Sequence, residues 1–198
     1  MNIKKITRLI VVCLMGLFVI GTIGCKKEGC TDKDAENYDA DAKDDDGSCI
    51  KAYPLTQAEL NASTNFINKI NGAGSGTAAA NAIAHGCPPP ATIDSTWRHI
   101  YSNKSTITSF SYGDMITKRT FDLAGNLCMT FAMVRGTDGY NTSGGDWMYY
   151  KMPYDATVDY STNPNGLLTS SSVESGKIAS CAGCHGNADG GDYIFIND

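Results

Sequence analysis

Near the C-terminal end, five consecutive residues, Cys181-Ala182-Gly183-Cys184-His185, put two thiols and an imidazole within a short stretch of chain. Two cysteines separated by two residues reach the two vinyl groups on one edge of a haem and form thioethers, and the adjacent imidazole then falls under the iron. With 8 Cys and 3 His among 198 residues, chance alone produces the pattern in roughly one such sequence in two hundred. Two other uses of these residues fit less well. A zinc site needs two more ligands. His85, Cys87, His99 and Cys128 are available, but the chain has no second C-x-x-C and no H-x-x-x-H. A thioredoxin-like redox pair belongs early in a βαβ unit, whereas this motif ends 13 residues before the last residue. Cys181 and Cys184 are therefore read as the attachment points of a haem c, and His185 as a ligand of its iron.

The N-terminal stretch reads as a targeting segment. Lys4, Lys5 and Arg8 precede an apolar run from Leu9 to Ile23 that contains one polar residue, Thr22. The run is too short and wrongly flanked for a spanning helix, so residues 1–24 are expected to be a signal peptide. Thr22-Ile23-Gly24-Cys25 resembles a bacterial lipoprotein signal. That resemblance implies acylation of Cys25, a lipid anchor in the cell envelope and, with Lys26 following, an outer-membrane or periplasm-facing position. Without residues 1–24 the chain keeps 13 basic and 21 acidic residues, a net charge of −8. Such an acidic balance argues against a nucleic-acid partner.

Export to an oxidising compartment gives the remaining cysteines a natural use. Cys30 and Cys49 bracket an acidic loop and are expected to form one disulfide; Cys87 and Cys128 are left for a second, by elimination. Residues 25–54 read as a tether carrying this loop, in which Gly29-Cys30-Thr31-Asp32, Glu36-Asn37-Tyr38-Asp39 and Asp44-Asp45-Asp46-Gly47-Ser48-Cys49 stand out. The segment resembles a short Cys-flanked, Asp-rich repeat of secreted bacterial proteins, itself similar to calcium-binding thrombospondin type 3 repeats. Dense carboxylates suit a hard cation, so Asp32, Asp44 and Asp46 are candidate calcium ligands. A solvated acidic linker with no ion accounts for the same residues, and both readings stand here.

Residues 55–198 are expected to form the main domain, of ordinary single-core size. Thr56-Gln57-Ala58-Glu59 reads as a capping box, and Leu60, Phe66, Ile67 and Ile70 recur at helical spacing up to Gly72. A second short helix is expected over 77–84, and a third, capped by Asp94 or Ser95, through Trp97, Ile100 and Tyr101. From Thr106 the pattern turns to strands: Ile107 to Leu123, a hairpin turn at Ala124-Gly125-Asn126, Leu127 to Val134, a Gly-rich loop over 136–145, then Trp147 to Met152. Tyr193-Ile194-Phe195-Ile196 reads as a closing strand. The expected class is α+β: mostly antiparallel sheet with a few short helices, and the haem motif at the C-terminal end.

The position of the motif separates classes of haem protein. Residues 186–198 contain no Met and no His to serve as a later axial ligand. A helical bundle would need four long amphipathic helices, which residues 107–152 do not supply. The arrangement resembles the cytochrome P-460 family and its relative cytochrome c′-beta, from about Trp97 to Phe195. The marks are Trp97-Arg98-His99-Ile100, Gly113 to Lys118, Gly145-Asp146-Trp147-Met148-Tyr149-Tyr150, Cys181 to His185 and Asp192-Tyr193-Ile194-Phe195.

The resemblance implies a mostly antiparallel sheet, a five-coordinate haem open on one side, and in many members a homodimer. In P-460 proteins a lysine on a strand shaped Gly-x-x-x-x-Lys is also bonded to the haem; Gly113-Asp114-Met115-Ile116-Thr117-Lys118 matches that spacing, which makes Lys118 the counterpart. A carboxylate near the open face removes protons from hydroxylamine in catalytic members. The usual Glu before the Trp is replaced here by Tyr140-Asn141-Thr142-Ser143, and Asp146 is the nearest candidate. Three functions follow. One is oxidation of hydroxylamine or nitric oxide, with electrons passed to a redox partner cytochrome. A second is binding of nitric oxide without catalysis, in an apolar pocket drawn from Phe131, Met133 or Trp147. The third is electron transfer with a sixth ligand such as Met129, Met133 or His99.

Overall fold

The computed structural model describes residues 26–71, 96–122 and 124–186. It divides into two compact units, Met1–Cys49 and Ile50–Asp198. The signal segment with Cys25, the helix expected over 77–84, Cys87 and the closing strand over 193–196 lie outside the described residues. Among the described residues no helix is long and apolar enough to cross a membrane.

The first unit is a small acidic loop. Strands β1 (Glu28–Gly29) and β2 (Asp44–Asp45) pair in parallel, and the expected Cys30–Cys49 disulfide closes the loop. Its carboxylates serve the backbone. Asp32, Asp39, Asp45 and Asp46 each accept the amide of the residue two positions on, at 2.9–3.0 Å, which is how Asp fixes tight turns. Asp44 pairs with Lys26 at 3.2 Å and Asp39 with Lys27 at 2.7 Å.

The second unit is α+β, as its sequence indicates, and mostly antiparallel sheet. Six strands, β3 (Asn65–Asn71), β4 (Thr96–Ser102), β5 (Met115–Asp122), β6 (Leu127–Arg135), β7 (Trp147–Pro153) and β8 (Glu174–Gly176), lie side by side in chain order. Every neighbouring pair is antiparallel. Two short helices, α1 (Gln57–Ala62) and α2 (Ala179–His185), and a 3-10 turn over Thr142–Gly144 complete the described elements. The β5–β6 hairpin turns at Gly125, which adopts a φ of +89°.

Two expected helices are strands or shorter than the spacing indicated. The capping box forms: Thr56 accepts from the Glu59 amide and the Glu59 side chain caps Thr56. The helix then ends at Ala62, and Phe66, Ile67 and Ile70 belong to β3. Ser63 is fully buried and its hydroxyl meets that of Thr117 at 3.0 Å, which turns the chain into the sheet. The stretch from Trp97 to Tyr101 is β4, not a helix. Over so few residues, apolar spacing does not separate the two periods, and pairing on both sides by β3 and β5 decides the outcome. Strand β5 begins at Met115, later than Ile107. The residues before it form a loop held by Lys104, which pairs with Asp114 at 2.8 Å.

Alternation sorts the sheet into two faces. One carries Met115, Ala132, Val134, Tyr150 and Met152 and packs under Leu60 of α1. Asn165 ties this side together: it accepts from Arg119 at 2.7 Å and donates to the Leu60 carbonyl at 2.7 Å. The other face carries Ile100, Ile116, Met133, Trp147 and Tyr149, and Ala182 of α2 packs on it.

Candidate functional site

The five residues of the C-x-x-C-H motif end helix α2, a seven-residue segment beginning at Ala179. Helical spacing puts residues three apart on one side, and the burial follows it. Ala182 and His185 are both buried against the sheet, whereas Cys181 and Cys184 are half-buried thiols outside any disulfide, on the flank. The His185 ring lies 5.7 Å from that of Tyr149 on β7, tilted by 53°. Burial pushes the Cys181 thiol above its ordinary pKa; Ser180 opposes the shift and Glu174 adds to it.

The helix can sit this close because of a glycine opposite it. A Cβ at Gly144 would stand 3.0 Å from the Ala182 Cβ and collide with the Asn141 side chain. Tyr149 reinforces the contact by donating to the Gly144 carbonyl at 3.1 Å.

Lys118 stands on the same face of the sheet as α2. Its cross-strand partners are Ile100 on β4 and Phe131 on β6, and it is 7% exposed, which is rare for a lysine. Two residues away, Ile116 belongs to the cluster that holds Ala182. Gly113, at the start of the Gly-x-x-x-x-Lys run, has a structural role of its own: its φ is +84°, and a Cβ there would meet the Tyr53 ring at 2.5 Å. Phe131, Met133 and Trp147 are buried on the Lys118 face, at 8%, 6% and 1% exposure.

Asp146 is not grouped with Lys118. It lies in the loop before β7 with a φ of 58°. Its carboxylate accepts the Asn141 amide at 3.0 Å and pairs with Arg135 at 3.3 Å. Arg135 also donates to the Gly145 carbonyl and pairs with Asp138 at 3.0 Å. The arrangement closes the 136–146 loop.

Of the proposed sixth ligands, His99 is on the opposite face of the sheet, edge-on to Phe66 and tilted against Phe121 at 5.1 Å. Met133 is a core residue of the α2 face, and Met129 is paired with Thr120 and Pro153. Cys128 is disulfide-bonded. Among the described residues no group of three or more His, Cys, Asp or Glu converges on a metal position, the Asp32, Asp44 and Asp46 loop included.

One residue of the Trp97-Arg98-His99-Ile100 run carries no role in the sequence reading and stands out in the structure. Arg98 is 1% exposed, on the Lys118 face of β4, and its Nε and Nη2 have no hydrogen-bond partner among the described residues. Burial alone lowers its pKa from the ordinary guanidinium value. Its signal was a charged residue two positions from Ile100 in a stretch that alternates, visible only once the stretch is read as a strand.

Compared with family models, curated proteins and solved structures, the chain matches none of them.

Proposed function

We propose that this chain is a lipid-anchored, c-type haem protein of the cytochrome P-460 kind that binds nitric oxide or hydroxylamine. The observation that carries the reading is the arrangement of α2: two half-buried thiols three residues apart and outside any disulfide, next to a histidine buried against a sheet face that also buries a lysine. The donor set suits a haem. Cys181 and Cys184 would form the thioethers and His185 would take the iron. Lys118 and Arg98 are two buried cationic side chains on one face, and a dianionic macrocycle edge is a natural counterpart for buried positive charge. When bound, a haem with one open axial position supplies binding and one-electron chemistry for small nitrogen oxides.

The chain's own residues favour ligand binding over oxidation. The side chains that crowd the Lys118 face, Phe131, Met133 and Trp147, are apolar or aromatic. Asp146, the carboxylate available to take a proton, is engaged by Arg135 and the Asn141 amide. The gas-binding reading, of c′-beta type, is therefore preferred to catalysis with electron delivery to a cytochrome partner.

The deciding experiment is a haem stain on a denaturing gel combined with spectra of the oxidised and reduced protein. Stain at the protein's mass, lost in a Cys181→Ala, Cys184→Ala double variant, supports the assignment. A high-spin spectrum that shifts on adding nitric oxide supports the open iron. No stain in the unaltered protein overturns the reading, and a low-spin spectrum indifferent to nitric oxide points to an electron carrier.

A further inference from the structure

We infer that Arg98 is the anchor for a carboxylate of the bound haem, one of its two propionates, on the α2 face of the sheet. The inference rests on the haem reading above and deepens it.

The starting point is an uncompensated cost. A guanidinium taken out of water without a partner is penalised by several kcal/mol in effect, which is why buried charges are nearly always paired. Arg98 is 1% exposed. Its Nε and Nη2, the two nitrogens that line one edge of the guanidinium fork, are both shut off from solvent and have no partner among the described residues. Two parallel N–H groups on one edge match the two oxygens of a single carboxylate. The unsatisfied edge is therefore the one built for bidentate recognition, and what it lacks is an anion with two coplanar oxygens.

Position supplies the second argument. Arg98 is paired with Thr120, and the next inward residues on the two strands, Ile100 and Lys118, are paired with each other. Arg98 and Lys118 are thus diagonal neighbours on one face, about 7–8 Å apart at the backbone. The row that contains Lys118 runs from Lys151 on β7 through Phe131 on β6 to Ile100 on β4. Three strand spacings make that row roughly 14 Å wide. Helix α2, which carries both thiols, sits against the Thr142–Gly144 turn that leads into β7 and against Tyr149 of β7 itself, which places the thiol end of the site at the β7 side of the row. Arg98 lies at the other side, on β4. A macrocycle fixed by its vinyl edge at the cysteines directs its propionate edge away from them, so a cation is needed at the far side of the row. Arg98 is a buried cation there, with its Nε and Nη2 unpartnered among the described residues.

The test uses the full chain in two forms, haem-loaded and carrying Cys181→Ala with Cys184→Ala so that no haem is attached. In the haem-loaded form Arg98→Met is expected to lower Tm, because the propionate loses its partner. In the haem-free form the same change is expected to raise Tm, because it removes a buried charge and keeps a similar volume. Arg98→Lys is expected to fall between the two in both forms. A shift of the same sign in both forms overturns the inference, since a purely structural arginine behaves that way.

A second measurement addresses the carboxylate directly. Haem and its dimethyl ester are titrated into the haem-free form. At least tenfold tighter binding of the free acid, falling to near parity with Arg98→Met, supports the anchor; an unchanged ratio overturns it. Nitrite titrated into the same protein separates a second source of the same chemistry. If nitrite raises Tm with Arg98 present and not with Arg98→Met, the site belongs to a free oxyanion and the propionate assignment falls. Absence of haem stain in the unaltered chain removes the haem reading and the anchor together; stain with any overturning result above removes the anchor alone.

Discussion

The His185 imidazole rests 5.7 Å from the Tyr149 ring, so the residue that would ligate the iron is braced by the strand on which α2 packs. Tyr149 also donates to the buried Gly144 carbonyl at 3.1 Å. Tyr149→Phe keeps the ring and leaves that carbonyl unpaired, with an expected loss of about 1–2 kcal/mol. Tyr149→Ala removes the ring as well and is expected to lose about 3–5 kcal/mol. Urea unfolding with an unchanged slope and a shifted midpoint checks both; equal losses for the two variants would contradict the brace.

Lys118 is the next test of the site. Bonded to the porphyrin edge, it would interrupt conjugation, and the reduced absorption band would lie to the red of an ordinary haem c. A tryptic digest should then join the Cys181–Cys184 peptide to the peptide carrying Lys118, and Lys118→Ala should restore an ordinary spectrum with the thioethers intact. Recovery of Lys118 in an unmodified peptide would leave its burial to be met by non-covalent partners and would strengthen the gas-binding reading.

Asp146 is expected to act as a loop clasp. Asp146→Ala removes the acceptor of the Asn141 amide and the partner of Arg135, and places Ala at a φ of 58°. The expected loss is about 1–3 kcal/mol. Asp146→Asn tolerates the backbone conformation and should lose less. Nitric oxide association rates, normalised to haem content, are expected to be unchanged in Asp146→Asn; a tenfold drop would return Asp146 to the site.

Alkaline pH should expose the burial of Tyr150. Desolvation raises its hydroxyl pKa to about 12, and Tyr140 adds to the shift. An unfolded tyrosine titrates near 10. Above that value the unfolded chain loses the proton while the folded chain keeps it, so stability falls as pH rises from about 10 to 12. The loss amounts to roughly 2–3 kcal/mol for a two-unit shift. Unfolding measured across that range should show the slope, and Tyr150→Phe should flatten it.

Cys25 is the proposed site of the lipid anchor. In cells that acylate lipoproteins, Cys25→Ala is expected to block maturation or release the protein from the membrane fraction. Unaltered protein found in the soluble fraction would refute the lipid anchor.

Residues that act through local chemistry were legible in the sequence alone. The Cys30–Cys49 pair, the Thr56–Glu59 capping box and the Gly125 turn each depend on neighbours a few residues away or on a single covalent bond. The antiparallel sheet could likewise be read from β-branched and aromatic runs ending in turn residues.

Tertiary pairing decided the rest. Trp97 to Tyr101 has apolar residues that suit a helix or a strand, and β4 exists because β3 and β5 take up its backbone hydrogen bonds from both sides. That choice turns Arg98 inward. In a helix a charged residue can swing to the wet side, but between two paired strands successive side chains alternate faces and Arg98 must share its face with Ile100. Lys118 is buried for the same reason: its face is set by the register with Ile100 and Phe131, and register is a relation between distant segments that no single stretch of sequence contains.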